Sequence, residues 1–300
     1  MELWIPITIG AAFAQNLRSA LQKHLKERLG TSGATFVRFL YAAPLATLYV
    51  AALYVSGQPL PEPGSAFFGF TVLGGVSQIL ATALLVSLFS YRNFAVGTTY
   101  SKTETLQTAV FGVVILGETV APLAAAGILV SLGGVVAISL GTGAVGVRGL
   151  VRGLGQRSAL IGMASGACFG LAAVSYRAAA LALGGEGFLM QAGFTLACVT
   201  VFQTLVMGGY LLLREPGELS RTLRAWRVAG LVGVCGMVAS ACWFSAMTLT
   251  NAAYVKALGQ VELVFTFAAS YFFFRERTRR RELAGIVLVV TGILMLALAA

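Results

Sequence analysis

The chain has no aspartate and a single histidine, His24, and its 11 acidic residues are all glutamate. Those absences exclude a Ser-His-Asp triad, a histidine-rich metal cage, an aspartyl phosphorylation site and an EF-hand loop. Charge is scarce too. Only 11% of the 300 residues are charged, against about 25% in a soluble chain, so too little polar surface exists to face water on every side. The four cysteines, Cys168, Cys198, Cys235 and Cys242, each sit in an apolar run without C-x-x-C spacing, which is the pattern of small core residues. No P-loop motif occurs, so direct drive by ATP is not expected. Residues Met1 to Pro6 lack the basic region of a secretory leader, and the first apolar run is expected to stay in place as a span.

What is abundant is apolar. Hydrophobic residues make up 58% of the chain and the mean hydropathy is +0.86. A membrane-crossing helix needs about 20 mostly apolar residues, and ten such runs are visible: Leu3–Lys23, Gly33–Val55, Ala66–Phe89, Phe94–Gly117, Val120–Gly141, Ser158–Leu183, Gly187–Leu213, Ala225–Leu249, Ala252–Phe274 and Glu282–Ala299. The runs do not alternate apolar and polar residues as β-barrel strands do. The expectation is an all-α integral membrane protein of ten transmembrane helices, with its principal partner the lipid bilayer.

The second half repeats the first. At an offset of 158 residues, Asn93 meets Asn251, Glu104 meets Glu262, Glu118 meets Glu276, Gly127 meets Gly285 and Gly134 meets Gly292. The early spans match weakly, with Gly10, Phe13 and Ser19 recurring as Gly166, Phe169 and Ser175 at offset 156. Five spans per half is an odd number, which turns the second half over relative to the first and gives inverted repeats. The expected organisation is a first repeat over 1–144, a linker over 145–157 and a second repeat over 158–300.

Lysine and arginine set the expected orientation. Loops after odd-numbered spans carry 16 of the 21 basic residues, including Arg275, Arg277 and Arg279 to Arg281, and loops after even-numbered spans carry none. The positive-inside rule makes the basic side cytoplasmic and places both termini outside. The same bias accounts for the net charge of +10, so no nucleic-acid partner is needed to explain it. The tract Arg275–Arg281 reads as a topology anchor, with contact to anionic headgroups as the alternative.

Several stretches resemble the drug/metabolite transporter superfamily in its ten-helix form with two EamA-type repeats. Leu88 to Ala95, Lys102 to Thr105 and Val114 to Glu118 look like the end of one such repeat; Phe244 to Ala252, Gln260 to Leu263 and Phe274 to Glu276 look like the end of the second. The pair Arg38-Phe39 is similar to the family's usual Arg-Phe pair. The resemblance covers nearly the whole chain and implies a permease. It also implies a proline after each mid-span glutamate, where this chain has Thr105 and Leu263, so the usual cause of a kink is missing at both points. Relatives are usually described with cytoplasmic termini, whereas the charge count of this chain points to extracytoplasmic ones.

Ionisable groups deep in a span cost about 2.5–3.5 kcal/mol each on insertion scales, which makes them functional candidates. Glu104 and Glu262 lie halfway along the fourth and ninth spans, as repeat mates near the midplane where such carriers bind their cargo. Lys102 is two residues from Glu104, so the two do not share a helix face, and it should point to the cavity or a partner helix. Tyr100, Ser101, Thr105 and Thr108 make the fourth span polar. Lys256 and Gln260 share a face of the ninth span. Gln15, Ser19 and Gln22 form a polar stripe on the first span with Arg18 beside it, and Arg38 and Arg177 lie nearer span ends, where they can snorkel.

The five intramembrane cations (Arg18, Arg38, Lys102, Arg177, Lys256) outnumber the two anions, which favours small-molecule cargo with an anionic group. No cofactor is expected; the glutamates are read as pathway or proton-coupling groups, with hydrogen bonds that only hold helices together as the alternative. The leading reading is a secondary carrier of a small polar metabolite in a bacterial-type inner membrane, monomeric or with a dimer as the alternative. A flippase for a lipid-linked substrate is the second reading, and an intramembrane enzyme or scaffold the third.

Overall fold

A computed structural model describes residues 2–25, 29–88, 99–141, 148, 155–185, 187–265 and 280–299, with the side chains of 20, 22–24, 140, 141, 216 and 280–282 set aside. The described residues form the helices α1 (Trp4–Leu25), α2 (Thr31–Leu40), α3 (Ala42–Val55), α4 (Ser65–Ser87), α5 (Glu104–Leu116), α6 (Pro122–Gly141), α7 (Arg157–Ala182), α8 (Phe188–Arg214), α9 (Pro216–Arg224), α10 (Trp226–Leu249), α11 (Ala252–Leu258) and α12 (Arg280–Ala299). Among the described residues, six helical stretches are long and apolar enough to cross a bilayer: Thr31–Val55, Ser65–Ser87, Pro122–Ser139, Arg157–Ala182, Phe188–Arg214 and Trp226–Leu249, with Leu283–Ala299 a shorter apolar helix. The chain is an all-α, multi-pass membrane protein.

Three of the expected spans are not single unbroken helices. The second divides into α2 and α3 at Tyr41, which stays right-handed at φ −86° and ψ −18°. Pro44 explains the division: it has no N–H for the carbonyl four residues back, and its ring crowds that carbonyl. The fourth and ninth spans break without proline, contrary to the expectation drawn from Thr105 and Leu263. At 102–103 the backbone tightens, with N–H of Lys102 bonding the Thr99 carbonyl at 3.2 Å and N–H of Thr103 the Tyr100 carbonyl at 3.1 Å. The Thr103 hydroxyl donates to that same Tyr100 carbonyl at 2.6 Å, the local side-chain competition that bends helices at threonine. At 259–260 the weak point is Gly259, about 1 kcal/mol poorer than alanine inside a helix; N–H of Gln260 bonds Ala257 at 3.1 Å and N–H of Leu263 bonds Gln260 at 2.9 Å. The outer parts of these spans, 89–98 and 266–279, lie outside the described residues, as do Asn93, Glu276 and the tract Arg275–Arg279.

The chain forms two compact units, one of Met1–Ile79 with Ser175–Thr250 and the other of Leu80–Val174 with Asn251–Ala300. In the first, α1 lies along α10, and α8 packs on α2, α3 and α10. Leu25, Leu29, Ala34, Val37, Ala229 and Val232 form one buried cluster; Phe36, Phe39, Met207 and Leu211 form another. The amphipathic α9 buries Glu218 and Thr222 and exposes Arg221 and Arg224. The Glu218 carboxylate accepts the N–H of Gly30 at 3.1 Å, just before α2, where the positive end of the helix dipole favours an anion.

In the second unit α6 and α12 run antiparallel in close contact, the repeat-matched glycines crossing over. A Cβ at Gly127 would lie 2.7 Å from the Gly292 carbonyl oxygen, and one at Gly134 2.6 Å from that of Gly285. Only hydrogen at these positions lets the two backbones approach so closely. Gly117, at φ +65°, ends α5, with N–H of Glu118 returning to the Gly112 carbonyl at 3.2 Å, a glycine-dependent stop. Asn251 caps α11, its side-chain oxygen accepting N–H of Ala253 at 2.8 Å.

Candidate functional site

The second unit brings the charged residues of the fourth and ninth spans together at the two helix breaks. Lys102 Nζ lies 2.6 Å from Glu262 Oε1, and Lys256 Nζ lies 2.7 Å from Glu104 Oε1. Each lysine therefore pairs with the glutamate of the other repeat. The breaks place these charges favourably: Glu104 falls in the first turn of α5 and Lys256 in the last turn of α11, where helix dipoles favour an anion and a cation respectively. The side chains keep 32% and 17% exposure in the first pair and 22% and 20% in the second, so none of the four is fully enclosed by protein.

A polar surround completes the arrangement. Gln260, the repeat mate of Lys102, donates through Nε2 to Thr105 Oγ1 at 3.2 Å. Gln107 donates to the Met163 carbonyl at 3.3 Å. Tyr100 is half-buried beside the break, with Ser101 buried. Helix α7 lies flush against this region through Gly166 and Gly170; a Cβ at Gly166 would meet the Ser101 carbonyl oxygen at 2.8 Å, and one at Gly170 the Thr108 hydroxyl at 2.9 Å. Two ammonium groups and two carboxylates thus balance, and the surplus of positive charge expected for the membrane interior resides in the first unit.

There the arginines differ in their surroundings. Arg177 Nη1 donates to the carbonyls of Met247 and Thr250, both at 2.6 Å, and of Thr248 at 3.2 Å. It ties down the C-terminal end of α10 instead of snorkelling. Arg18 is 8% exposed, with its stem against Gly236. Of the stripe on α1, Gln15 accepts the indole N–H of Trp243 at 3.1 Å, whereas Ser19 is exposed and bonds back to the Gln15 carbonyl at 2.8 Å; the side chain of Gln22 is outside the described set. Arg38 lines a small cavity with Gln78, Thr200, Gln203 and Ser240, walled by Phe39, Leu196 and Phe244. Behind it, Tyr176 stacks on Phe244 at 4.5 Å between centroids, its hydroxyl 3.0 Å from the Gly74 carbonyl and 3.1 Å from Gln78 Oε1.

Gln78, Tyr176, Gln203 and Ser240 escaped the reading of the sequence. Two of them, Gln78 and Gln203, are amides inside otherwise apolar runs, and that alone would have marked them. Among the described residues no group of three or more His, Cys, Asp or Glu side chains could hold a metal ion.

A family profile described as EamA-like transporter family matches residues 2–140 and again 156–298. No curated protein matches the chain. One solved structure, titled only as a crystal structure of a protein, superposes with a TM-score of 0.69 at 17% identity, over 99% of this chain and 97% of that one; at that identity the likeness is one of fold.

Proposed function

From the premise that the chain belongs to the EamA-like transporter family, and so moves material across a membrane and is no enzyme, we propose that it is a secondary carrier of a small polar metabolite, working by alternating access. The observation that carries this reading is the pair of cross-repeat contacts, Lys102–Glu262 and Lys256–Glu104, at the two helix breaks. Discontinuous helices with charged groups at their broken ends are where secondary transporters bind cargo and coupling ions. An anionic group of the cargo competes for a lysine; a proton competes for a glutamate. Either event breaks an ion pair that holds the two spans together, so binding has a differential effect on two arrangements of the bundle, as a ligand-driven transition requires. Tyr100, Thr105 and Gln260 supply neutral hydrogen bonds beside the charges.

The close antiparallel crossing of Gly127 with Gly292 and of Gly134 with Gly285 supports ten spans arranged as two inverted five-helix repeats, since repeat mates exchange places across such an axis. The distribution of basic residues supports extracytoplasmic termini in a bacterial-type inner membrane. The reading is tested by thermal unfolding of the purified protein against amino acids, organic acids, nucleosides and phosphorylated metabolites, because a ligand that binds the native state raises its Tm. Hits are then followed as counterflow in proteoliposomes. A Tm rise that depends on Lys102 and Lys256, with counterflow of the same compound, is expected. Stabilisation only by lipid-linked compounds, without counterflow of soluble ones, would favour a flippase.

A further inference from the structure

The Arg38 cavity is lined by residues of the first unit, whereas the helix breaks belong to the second. We propose that it is a binding site for a small monovalent anionic group, a halide or a single carboxylate, held by the Arg38 guanidinium and the Ser240 hydroxyl.

Four observations lead there. A guanidinium carries five N–H donors and no acceptor, and inside a membrane helix it is costly unless those donors are used. Among the described residues Arg38 makes neither an ion pair nor a hydrogen bond; its guanidinium lies 5.7 Å from the centroid of the Phe39 ring. Arg177, in the same unit, shows the contrast, with three carbonyls around one nitrogen. The hydroxyl of Ser240, which lines the same cavity, also has no partner among the described residues. The remaining lining differs in kind. Gln203 is fully buried and its Nε2 is already committed to Gln78 Oε1 at 2.9 Å and the Gly75 carbonyl at 3.2 Å, which fixes the polar wall. Phe39, Leu196 and Phe244 form an apolar one, and low-dielectric walls strengthen the attraction between a cation and an anion.

The free space is that of about one water molecule. That size suits the oxygen of a carboxylate, admits a chloride ion only where the lining yields by a few tenths of an ångström, and excludes a whole metabolite. The ligand chemistry is therefore shared by two sources, a free inorganic anion and the acidic end of a larger compound. Neither requires that the protein transport what it binds, so the site stands or falls apart from the carrier reading.

The test is thermal unfolding of the full chain in detergent at constant ionic strength, titrating chloride or formate against methanesulfonate. Wild-type protein should show a saturable rise in Tm with one or both anions. Saturation by chloride alone identifies an inorganic-anion site, and saturation by formate a carboxylate site. The rise should vanish in Arg38→Gln and persist in Lys102→Met, which alters only the second unit. Should Arg38→Gln not fold, Ser240→Leu decides the matter, because it fills the cavity and keeps the cation. No saturable response in wild type, as expected if a water molecule merely bridges Arg38 and Gln203 Oε1, would overturn the proposal. So would an undiminished response in Arg38→Gln or Ser240→Leu.

Discussion

Removing one partner of the Lys102–Glu262 contact and then both separates the pair's own contribution from the cost of stranding a charge. At 2.6 Å the Coulomb attraction of two unit charges is about 1.6 kcal/mol at the dielectric constant of water and about 6 kcal/mol at an effective value of 20. The side chains are 32% and 17% exposed, so the interaction lies between those limits and is partly screened. Ordering a long lysine and desolvating both groups subtract further, leaving a net coupling of about 1–3 kcal/mol, or roughly 5- to 150-fold in an equilibrium constant. Lys102→Met, Glu262→Gln and the double variant, unfolded with SDS in mixed micelles, give that coupling energy directly. The same cycle on Lys102 with Glu104 should return a smaller value, because residues two apart do not face each other. A Lys102–Glu262 coupling under about 0.5 kcal/mol, within the range of independent sites, would refute the pairing and with it the role given to the breaks.

Three further outcomes follow from other parts of the molecule. Gly285→Ala sets a methyl 2.7 Å from the Gly134 carbonyl oxygen and Ile138 N, backbone atoms that cannot swing aside; a loss of about 1–3 kcal/mol is expected in the same unfolding assay, while Gly10→Ala, with nothing near its Cβ, should change little. Glu218→Ala removes the acceptor of the Gly30 N–H and should cost about 1–3 kcal/mol, read as faster hydrogen exchange at the start of α2. In a background without cysteine, a single Cys at Gly64 should react with an impermeant maleimide in intact spheroplasts and one at Gly217 only after lysis; both positions are exposed and uncrowded, and the reverse pattern would restore cytoplasmic termini.

What could be read in advance was what a bilayer makes expensive. Apolar runs, the one-sided basic loops and the isolated mid-span charges all stand out against a background that excludes polarity, and so Glu104, Glu262, Lys102 and Lys256 were visible as candidates. Their pairing was not. Lys102 and Glu262 are 160 residues apart, and the repeat offset aligns Lys102 with Gln260, which bonds Thr105 and leaves Glu104 to Lys256. The symmetry of the repeats is broken at the very residues it served to identify. The helix breaks were missed because proline was taken as their cause, whereas Thr103 and Gly259 act through hydroxyl competition and weak propensity. The Arg38 cavity draws on α2, α4, α8 and α10, and no spacing along one helix reveals it.

In the proposed carrier, the carboxylates at the helix breaks link cargo movement to the proton gradient. The most direct test of that link is accumulation of the compound found by thermal unfolding, in proteoliposomes under an imposed pH gradient, by wild type, Glu104→Gln and Glu262→Gln at equal reconstituted protein. The amide keeps the shape of the side chain and cannot carry a proton. Loss of gradient-driven accumulation with counterflow retained is the expected result for at least one variant. Wild-type accumulation by both would rule out that link and leave a carrier that runs without protons.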